Sequence, residues 1–179
     1  MRIQTPNIVL RDFERKDAEN LCRIVHEADI VRFMPDWSDG FSKPENYYKF
    51  IDWMNSKKDS TDVYDNKRYV IALPDTDEMI GMAGMGIEET LCEVEMAYFM
   101  SEAYQRRGYS QEAVNVLAEW CFQVSDLKFI MLTIDCANAP SCRLAEKCGF
   151  ELFERRTPIG HKQPNMESDS YYYYRRYRK

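Results

Sequence analysis

The sequence predicts an α/β protein in which helices cover the faces of a single mixed β-sheet. Segments with strand-like patterns are interspersed with segments of helical periodicity along all 179 residues. Residues 129–134 form an almost wholly apolar run, which is typical of a strand covered on both faces. The helical pattern of residues 111–124 lies between two predicted strands and favours a right-handed βαβ crossover. A chain of this length fits one domain, residues 1–179.

The predicted elements follow the order β, α, α, β, β, β, α, β, α, β, β. The first helix is indicated by Leu21, Ile24 and Val25 at helical spacing, and the second by Pro44 in its first turn. The third helix covers residues 111–124, and the fourth covers residues 138–148 before a glycine that stops it. The predicted strands are residues 3–11, 68–73, 79–83, 93–100, 129–134, 152–153 and 171–177. We expect the last two strands to pair as a terminal hairpin.

Charge and composition argue against several classes of function. A net charge of −6 and a pI near 5.1 disfavour a nucleic-acid binder, which needs a clustered basic face. No segment has the length and apolarity of a membrane span or the pattern of a leader, so we expect a cytoplasmic protein without membrane association. The six cysteines include no C-x-x-C pair and there are two histidines, so we expect structural thiols and no metal site.

The turn after the strand of residues 93–100 carries the strongest functional signal. Its residues are Gln105, Arg106, Arg107, Gly108, Tyr109 and Ser110. A helix N-terminus presents unpaired N–H groups and the positive end of the helix dipole, and glycine lets a phosphate approach the backbone. The Gly-Lys-Ser/Thr ending of a nucleoside-triphosphate loop is absent. Taken alone, the turn fits an anion site and a solvent-exposed loop about equally well.

A second motif lies one strand later. It runs from Asn138-Ala139-Pro140-Ser141 to Glu146-Lys147-Cys148-Gly149-Phe150. Together the two motifs resemble the GNAT superfamily of N-acetyltransferases, whose acetyl-CoA motif is Q/R-x-x-G-x-G/A and whose later helix often reads N-x-x-S/A…E-K-x-G-F. Three further segments resemble the branch of ribosomal-protein N-acetyltransferases: Ile8-Val9-Leu10-Arg11 at the start, the strand Glu95-Met96-Ala97-Tyr98-Phe99-Met100, and the final tyrosine-rich strand. The resemblance therefore covers the whole chain.

The resemblance implies a GNAT fold, with a mixed, mostly antiparallel sheet of about seven strands, and acetyl-CoA as acetyl donor. It implies that backbone groups of Phe99 and Met100 bind the pantetheine arm, while Asn138 steadies this arm from the other side. The N–H groups of the turn would bind the pyrophosphate, with Ser110 where the family has glycine or alanine. The implied cofactor-binding residues are Phe99, Met100, Gln105, Arg106, Arg107, Gly108, Tyr109, Ser110 and Asn138.

Direct acetyl transfer needs a base for the amine and a proton for the departing thiolate. Glu95 matches the family's strand glutamate and is the predicted base, with Glu93 on the same face as the reserve. Both would also fit an ordinary charged strand face. Ala145 stands where many family members have a tyrosine acid, so the predicted donor is the Ser141 hydroxyl. A serine in a first helical turn also commonly satisfies a backbone N–H.

The approach to the predicted site is acidic, which favours a protonated amine as acceptor. Its carboxylates are Glu88, Glu89, Glu93 and Glu95. Trp37, Trp53 and Tyr98 are candidates for the wall of an acceptor pocket or for the core. The predicted acceptor is a primary amine, either a protein N-terminus such as a ribosomal protein's or a small amine such as a polyamine, amino acid or aminoglycoside. A catalytically silent acetyl-CoA-binding module is the alternative, and the resemblance is compatible with a homodimer.

Overall fold

An eight-stranded mixed sheet forms the centre of the chain. The structure is a computed structural model that describes residues 1–38, 42–88, 91–157, 168 and 170–179. The strands are β1 Arg2–Gln4, β2 Val9–Arg11, β3 Lys67–Ala72, β4 Met79–Glu88, β5 Glu93–Met100, β6 Phe129–Asp135, β7 Glu151–Arg156 and β8 Tyr171–Tyr177. The helices are α1 Asp17–Val25, α2 Ala28–Phe33, α3 Tyr48–Ser56, α4 Tyr109–Val124 and α5 Ala139–Lys147. Short 3₁₀ segments cover Pro35–Trp37, Pro44–Tyr47 and Glu102–Tyr104.

The strands are arranged in the order β1-β2-β3-β4-β5-β6-β8-β7. Neighbouring strands are antiparallel except β5 and β6, which are parallel and are connected through α4. The predicted mixed, mostly antiparallel sheet is therefore confirmed, with eight strands instead of about seven. The terminal hairpin is confirmed as well, with β8 between β6 and β7.

The prediction of one strand over residues 3–11 is wrong, because a turn divides this segment into β1 and β2. The backbone N–H of Thr5 donates to the Ile8 carbonyl over 2.9 Å. The Thr5 hydroxyl also contacts the backbone of Ile8, donating to its carbonyl and accepting from its N–H. Pro6 has no N–H to add to a ladder, so the chain reverses here and β2 pairs antiparallel with β1.

Helices cover both faces of the sheet. On one face, Leu117 of α4 and Ala145 of α5 are buried in a cluster with Met85 of β4. On the other face, Ile51 of α3 is buried with Phe99 of β5 in a cluster that also includes α1. Burial of each large apolar side chain contributes about 1.5–3 kcal/mol. The two clusters hold α4 and α5 against one face of β5 and α1 to α3 against the other.

A buried ion pair fixes the start of α1 against β2. The Arg11 guanidinium donates two hydrogen bonds of 2.8 Å to the Asp17 carboxylate, and the two side chains are only 3% and 2% exposed. Arg11 also contacts Asp77, in the turn between β3 and β4. Arg11 therefore links α1 to the β3–β4 hairpin.

We predict that Asp17→Ala lowers the free energy of unfolding by about 3 kcal/mol, because it leaves a buried guanidinium without its main partner. The matched control is Asp52→Ala, which removes an ion pair to Arg15 in which both side chains are more than half exposed. That variant should lose less than about 1 kcal/mol. Denaturant unfolding measures both free energies. Equal losses would contradict the larger contribution to stability that we assign to the buried ion pair.

Candidate active site

A gap between β5 and β6 defines the site. The register of these parallel strands contains the single pair Glu95 and Met131, although β5 continues to Met100 and β6 to Asp135. Residues of both strands beyond this pair line a cleft of about 1350 Å³. In sheets of this kind, ligands bind beyond the carboxyl ends of parallel strands. The gap gives a ligand access to strand backbone that a continuous ladder would occupy.

Most of the residues assigned to the cofactor from the sequence line this cleft. They are Phe99, Met100, Gln105, Arg106, Gly108, Tyr109, Ser110 and Asn138. Arg107 does not line it, and its guanidinium lies 5.4 Å from the centre of the Tyr104 ring. The structure thus brings together eight of the nine residues, while the Arg107 side chain lies against Tyr104, which itself lines the cleft.

The turn before α4 presents a row of free donors to the cleft. Arg106 and Gly108 have positive φ values of 61° and 86°, so the chain turns sharply just before the helix begins. No described residue accepts a hydrogen bond from the backbone N–H groups of residues 106–110. These donors lie at the positive end of the 16-residue helix α4. Backbone geometry and dipole together fit a phosphate group.

Two side chains stabilise the backbone around the cleft. The amide of Gln105 donates to the Met100 carbonyl over 3.3 Å and so closes the turn onto the end of β5. The Asn138 side-chain oxygen accepts the N–H of Ser141 over 3.2 Å and caps α5. Asn138, not Ser141, therefore provides the N-terminal cap of this helix.

Glu27 links the junction of α1 and α2 to the segment that precedes the α4 turn. Its carboxylate accepts the Ser101 hydroxyl over 2.7 Å and the Glu102 N–H over 2.6 Å. Ser101 is fully buried, and Glu27 directly precedes α2, whose residues line the cleft. The junction of α1 and α2 is consequently hydrogen-bonded to the segment that leads into the α4 turn.

Glu95 lies in the cleft at the point where β5 and β6 separate. Its carboxylate accepts the Thr133 N–H over 3.1 Å. Burial is the largest influence and raises the pKa of Glu95, with a further rise from the neighbouring charge of Glu88. Hydrogen bonding with Thr133 and the positive charge of Arg68 act in the opposite direction. A carboxyl group with a raised pKa in a cleft has the properties of a general base.

The other predicted carboxylates occupy different positions. Glu93 forms an ion pair with Arg175, with a distance of 3.2 Å from Nε to Oε2, and it does not line the cleft. Glu88 does line the cleft, and it also accepts the Leu91 N–H over 2.6 Å. Glu89 lies outside the described residues. The structure therefore favours Glu95 over its reserve as the carboxylate within reach of a ligand.

Ser141 and Tyr98 form a hydroxyl pair on the cleft wall. Their oxygen atoms are 2.6 Å apart, and both residues line the cleft. Burial raises the pKa of Tyr98. Ala145 is buried and offers no proton donor. The sequence indicated Tyr98 only as a pocket wall or a core residue, although its position three residues after Glu95 places it on the opposite face of β5, toward α5.

The tryptophans differ in their relation to the cleft. Trp37 lines it and packs edge-on against Phe99, with ring centres 5.5 Å apart. Trp53 is 46% exposed on α3 and lies under the ammonium group of Lys57. Only the first of these can form part of a wall around a ligand in the cleft.

Charge is distributed unevenly around the cleft. The charged lining residues of the α4 turn and α5 are cationic: Arg106, Arg143 and Lys147. The other charged lining residues are mostly anionic, with Asp29, Asp36, Glu88, Glu95 and Asp135 against Arg32 and Arg156. Glu95 faces the side of the sheet that carries α1 to α3, because it is four residues from Phe99 on the same strand. The described lining thus suits an anionic ligand beside α4 and a cationic one on the opposite side.

The described residues contain no group of three or more His, Cys, Asp or Glu side chains placed to hold a metal ion. Among the helices of the described chain, none has both the length and the apolarity that a membrane span requires.

Comparison with known proteins gives the class of this protein. The family model described as acetyltransferase (GNAT) domain matches residues 7–151. The chain therefore belongs to the GNAT family of N-acetyltransferases, as the two sequence motifs predicted. The uncharacterized N-acetyltransferase YnaD of Bacillus subtilis (strain 168) is 26% identical over 176 residues, which cover 97% of this chain and 95% of the relative.

Solved structures give the same fold. The RimL ribosomal L7/L12 alpha-N-protein acetyltransferase in complex with coenzyme A has a TM-score of 0.81 at 18% identity, over 99% of this chain and 98% of that one. The ribosomal-protein-S5-alanine acetyltransferase of Vibrio fischeri has a TM-score of 0.81 at 16% identity, over 99% and 96%. An acetyltransferase of the GNAT family from Bacillus anthracis has a TM-score of 0.77 at 22% identity, over 99% and 98%. The predicted GNAT fold is confirmed.

We predict that Gly108→Ala weakens acetyl-CoA binding at least about tenfold, because a left-handed conformation costs a residue with a side chain about 1–2 kcal/mol. The Cβ position of Gly108 is open, so the loss would come from relaxation of the strained turn, which would move its free donors. Gly149→Ala is the matched control. Gly149 also has a positive φ, 77°, and open space around its Cβ position, but it lies outside the cleft. Both variants should lose similar stability, and only Gly108→Ala should bind acetyl-CoA less well by calorimetric titration. Equal affinities of the two variants would contradict the assigned role of the turn.

Proposed function

We propose that residues 1–179 form one acetyltransferase domain that transfers an acetyl group directly from acetyl-CoA to the primary amine of a cationic acceptor. One observation carries this proposal: the free N–H groups of the α4 turn and the Glu95 carboxylate line a single cleft at the gap between β5 and β6. Family membership supports the reaction class.

The cofactor side of the proposal rests on the fit of the α4 turn to a pyrophosphate. The N–H groups of residues 106–110 would bind it, and the nearby side chains of Arg106 and Lys147 add positive charge. The backbone of Phe99 and Met100 would hold the pantetheine arm along the open edge of β5, with Asn138 on its other side. Acetyl-CoA supplies the activated acetyl group, and no metal is required by this arrangement.

The acceptor side rests on Glu95 and the anionic lining near it. Asp36 and Glu88 attract a protonated amine, and Glu95 removes a proton from it, directly or through water. The raised pKa of Glu95 brings the basicity of its carboxylate closer to that of the amine whose proton it accepts. The Ser141 hydroxyl, which lines the cleft, would donate a proton to the departing sulfur. The acceptor is either a protein N-terminus, such as that of a ribosomal protein, or a small amine.

We predict that Glu95→Gln lowers kcat about 100-fold, which is a typical contribution of a positioned general base. Only the ionised carboxylate can accept a proton, so wild-type kcat/KM should fall as the pH drops through the pKa of Glu95. Because burial raises this pKa above 4.5, the fall should occur at a higher pH than for an exposed glutamate. Glu95→Gln should lack this acid limb. If Glu93→Gln lost the limb and Glu95→Gln kept it, the base would be Glu93.

We expect thioester consumption when acetyl-CoA is combined with the correct member of an amine panel. The panel contains peptides with ribosomal-protein N-termini, polyamines, free amino acids and aminoglycosides. Saturable turnover with an amine supports the proposal, and the preferred amine gives the acceptor class. Saturable acetyl-CoA binding without turnover on any amine would favour a silent binding module. Absence of binding would contradict both functions.

A further inference from the structure

The short contact between Tyr98 of β5 and Ser141 of α5 has no role in the mechanism described so far. We propose that Tyr98 is a positioning residue that holds the Ser141 hydroxyl with its hydrogen directed at the leaving sulfur. This inference rests on the proposed function, because it concerns the proton that coenzyme A must receive.

The first support is the position of the pair relative to Glu95. Tyr98 and Glu95 lie on opposite faces of β5, three residues apart, and both line the cleft where β5 and β6 separate. A base on one side of the gap and a donor on the other match the two proton positions of acyl transfer. The amine loses its proton on the acceptor side, and the thiolate gains one on the side of α5.

The second support is that Ser141 is fixed from two directions. Its backbone N–H is held by Asn138 at the start of α5, and its hydroxyl oxygen lies 2.6 Å from the Tyr98 hydroxyl. A serine hydroxyl otherwise rotates among three staggered positions, most of which would not suit one acceptor. The contact with Tyr98 selects among them.

The third support comes from counting hydrogens. The two hydroxyls carry two hydrogens, and a contact of this length places one of them between the oxygens. A phenol is a stronger acid than an aliphatic alcohol, so Tyr98 is the better donor and Ser141 the better acceptor. The Ser141 hydroxyl hydrogen then remains free to donate to a ligand in the cleft. It is a stronger donor because the Ser141 oxygen already accepts a hydrogen bond from Tyr98. The Tyr98 phenol is protonated at neutral pH because the ordinary pKa of tyrosine is about 10, and burial raises this pKa further.

The proton balance of the transfer can be completed with these groups. The amine nitrogen bonds to the acetyl carbon, the carbon–sulfur bond breaks, and its electron pair remains on sulfur. Sulfur takes up the hydroxyl proton of Ser141, Ser141 regains a proton from Tyr98, and Tyr98 regains a proton from solvent. A protonated amine loses two protons on becoming an amide, and Glu95 passes both to solvent in turn, one before the attack and one as the amide forms. Since Tyr98 regains one proton from solvent, the cycle releases one proton overall.

A double-mutant cycle tests the inference with Tyr98→Phe, Ser141→Ala and the combined variant. Loss of one hydrogen bond of about 1.4 kcal/mol corresponds to about tenfold in rate. We therefore expect Tyr98→Phe to lower kcat about tenfold and to leave acetyl-CoA affinity unchanged. The double variant should be no slower than Ser141→Ala, since Tyr98 acts only through Ser141. Tyr172→Phe is the matched control, because this tyrosine is partly buried outside the cleft lining.

Several outcomes would overturn the inference. An unchanged kcat in Tyr98→Phe would do so, and so would additive effects of the two substitutions, which would make Tyr98 independent of Ser141. A loss confined to acetyl-CoA affinity or to thermal stability would assign Tyr98 a purely structural role. If Glu95→Gln slows turnover and Tyr98→Phe does not, the inference fails while the proposed function stands. If the wild-type protein transfers no acetyl group, both fail.

Discussion

The incomplete pairing of β5 with β6 is the constraint on which the site depends. Two adjacent parallel strands normally share a ladder, and here the register holds one pair before the strands separate. The unsatisfied backbone groups need partners, and the Glu95 carboxylate provides one for Thr133. The same separation admits a ligand between α4 and α5 on one face and α1 to α3 on the other. Glu95, the α4 turn and the Tyr98–Ser141 pair line one cleft because the sheet opens where it does.

The sequence predicted the fold where local patterns and tertiary structure agree. The strands over residues 93–100 and 171–177 have the predicted bounds, because their apolar patterns and flanking turns coincide. The prediction of one strand over residues 3–11 was wrong because the turn at Thr5 and Pro6 interrupts a segment whose composition otherwise favours a strand. The placement of β8 between β6 and β7 depends on contacts between residues that are far apart along the chain. The periodicity of the sequence carries no information about such contacts.

The same distinction applies to the site. The α4 turn could be predicted because the need for a positive φ leaves a glycine in the sequence. That Arg106 lines the cleft while Arg107 stacks on Tyr104 could not be predicted, since two adjacent arginines in a turn are equivalent until the backbone is known. The pairing of Tyr98 with Ser141 joins residues 43 positions apart. Strand alternation gave the face of Tyr98, and only the packing of α5 on the sheet supplied its partner.

The two hydrogen bonds of Glu27 connect the two halves of the cleft. They tie the junction before α2, one wall of the acceptor side, to the segment between β5 and the α4 turn. Under the proposed function, a shift of α2 on acceptor binding would be passed on to the residues that lead into the α4 turn. Under the proposed function, these hydrogen bonds would couple the two halves of the cleft, and binding of the two substrates would be thermodynamically linked. By reciprocity, whichever binds first alters the affinity for the second by the same factor.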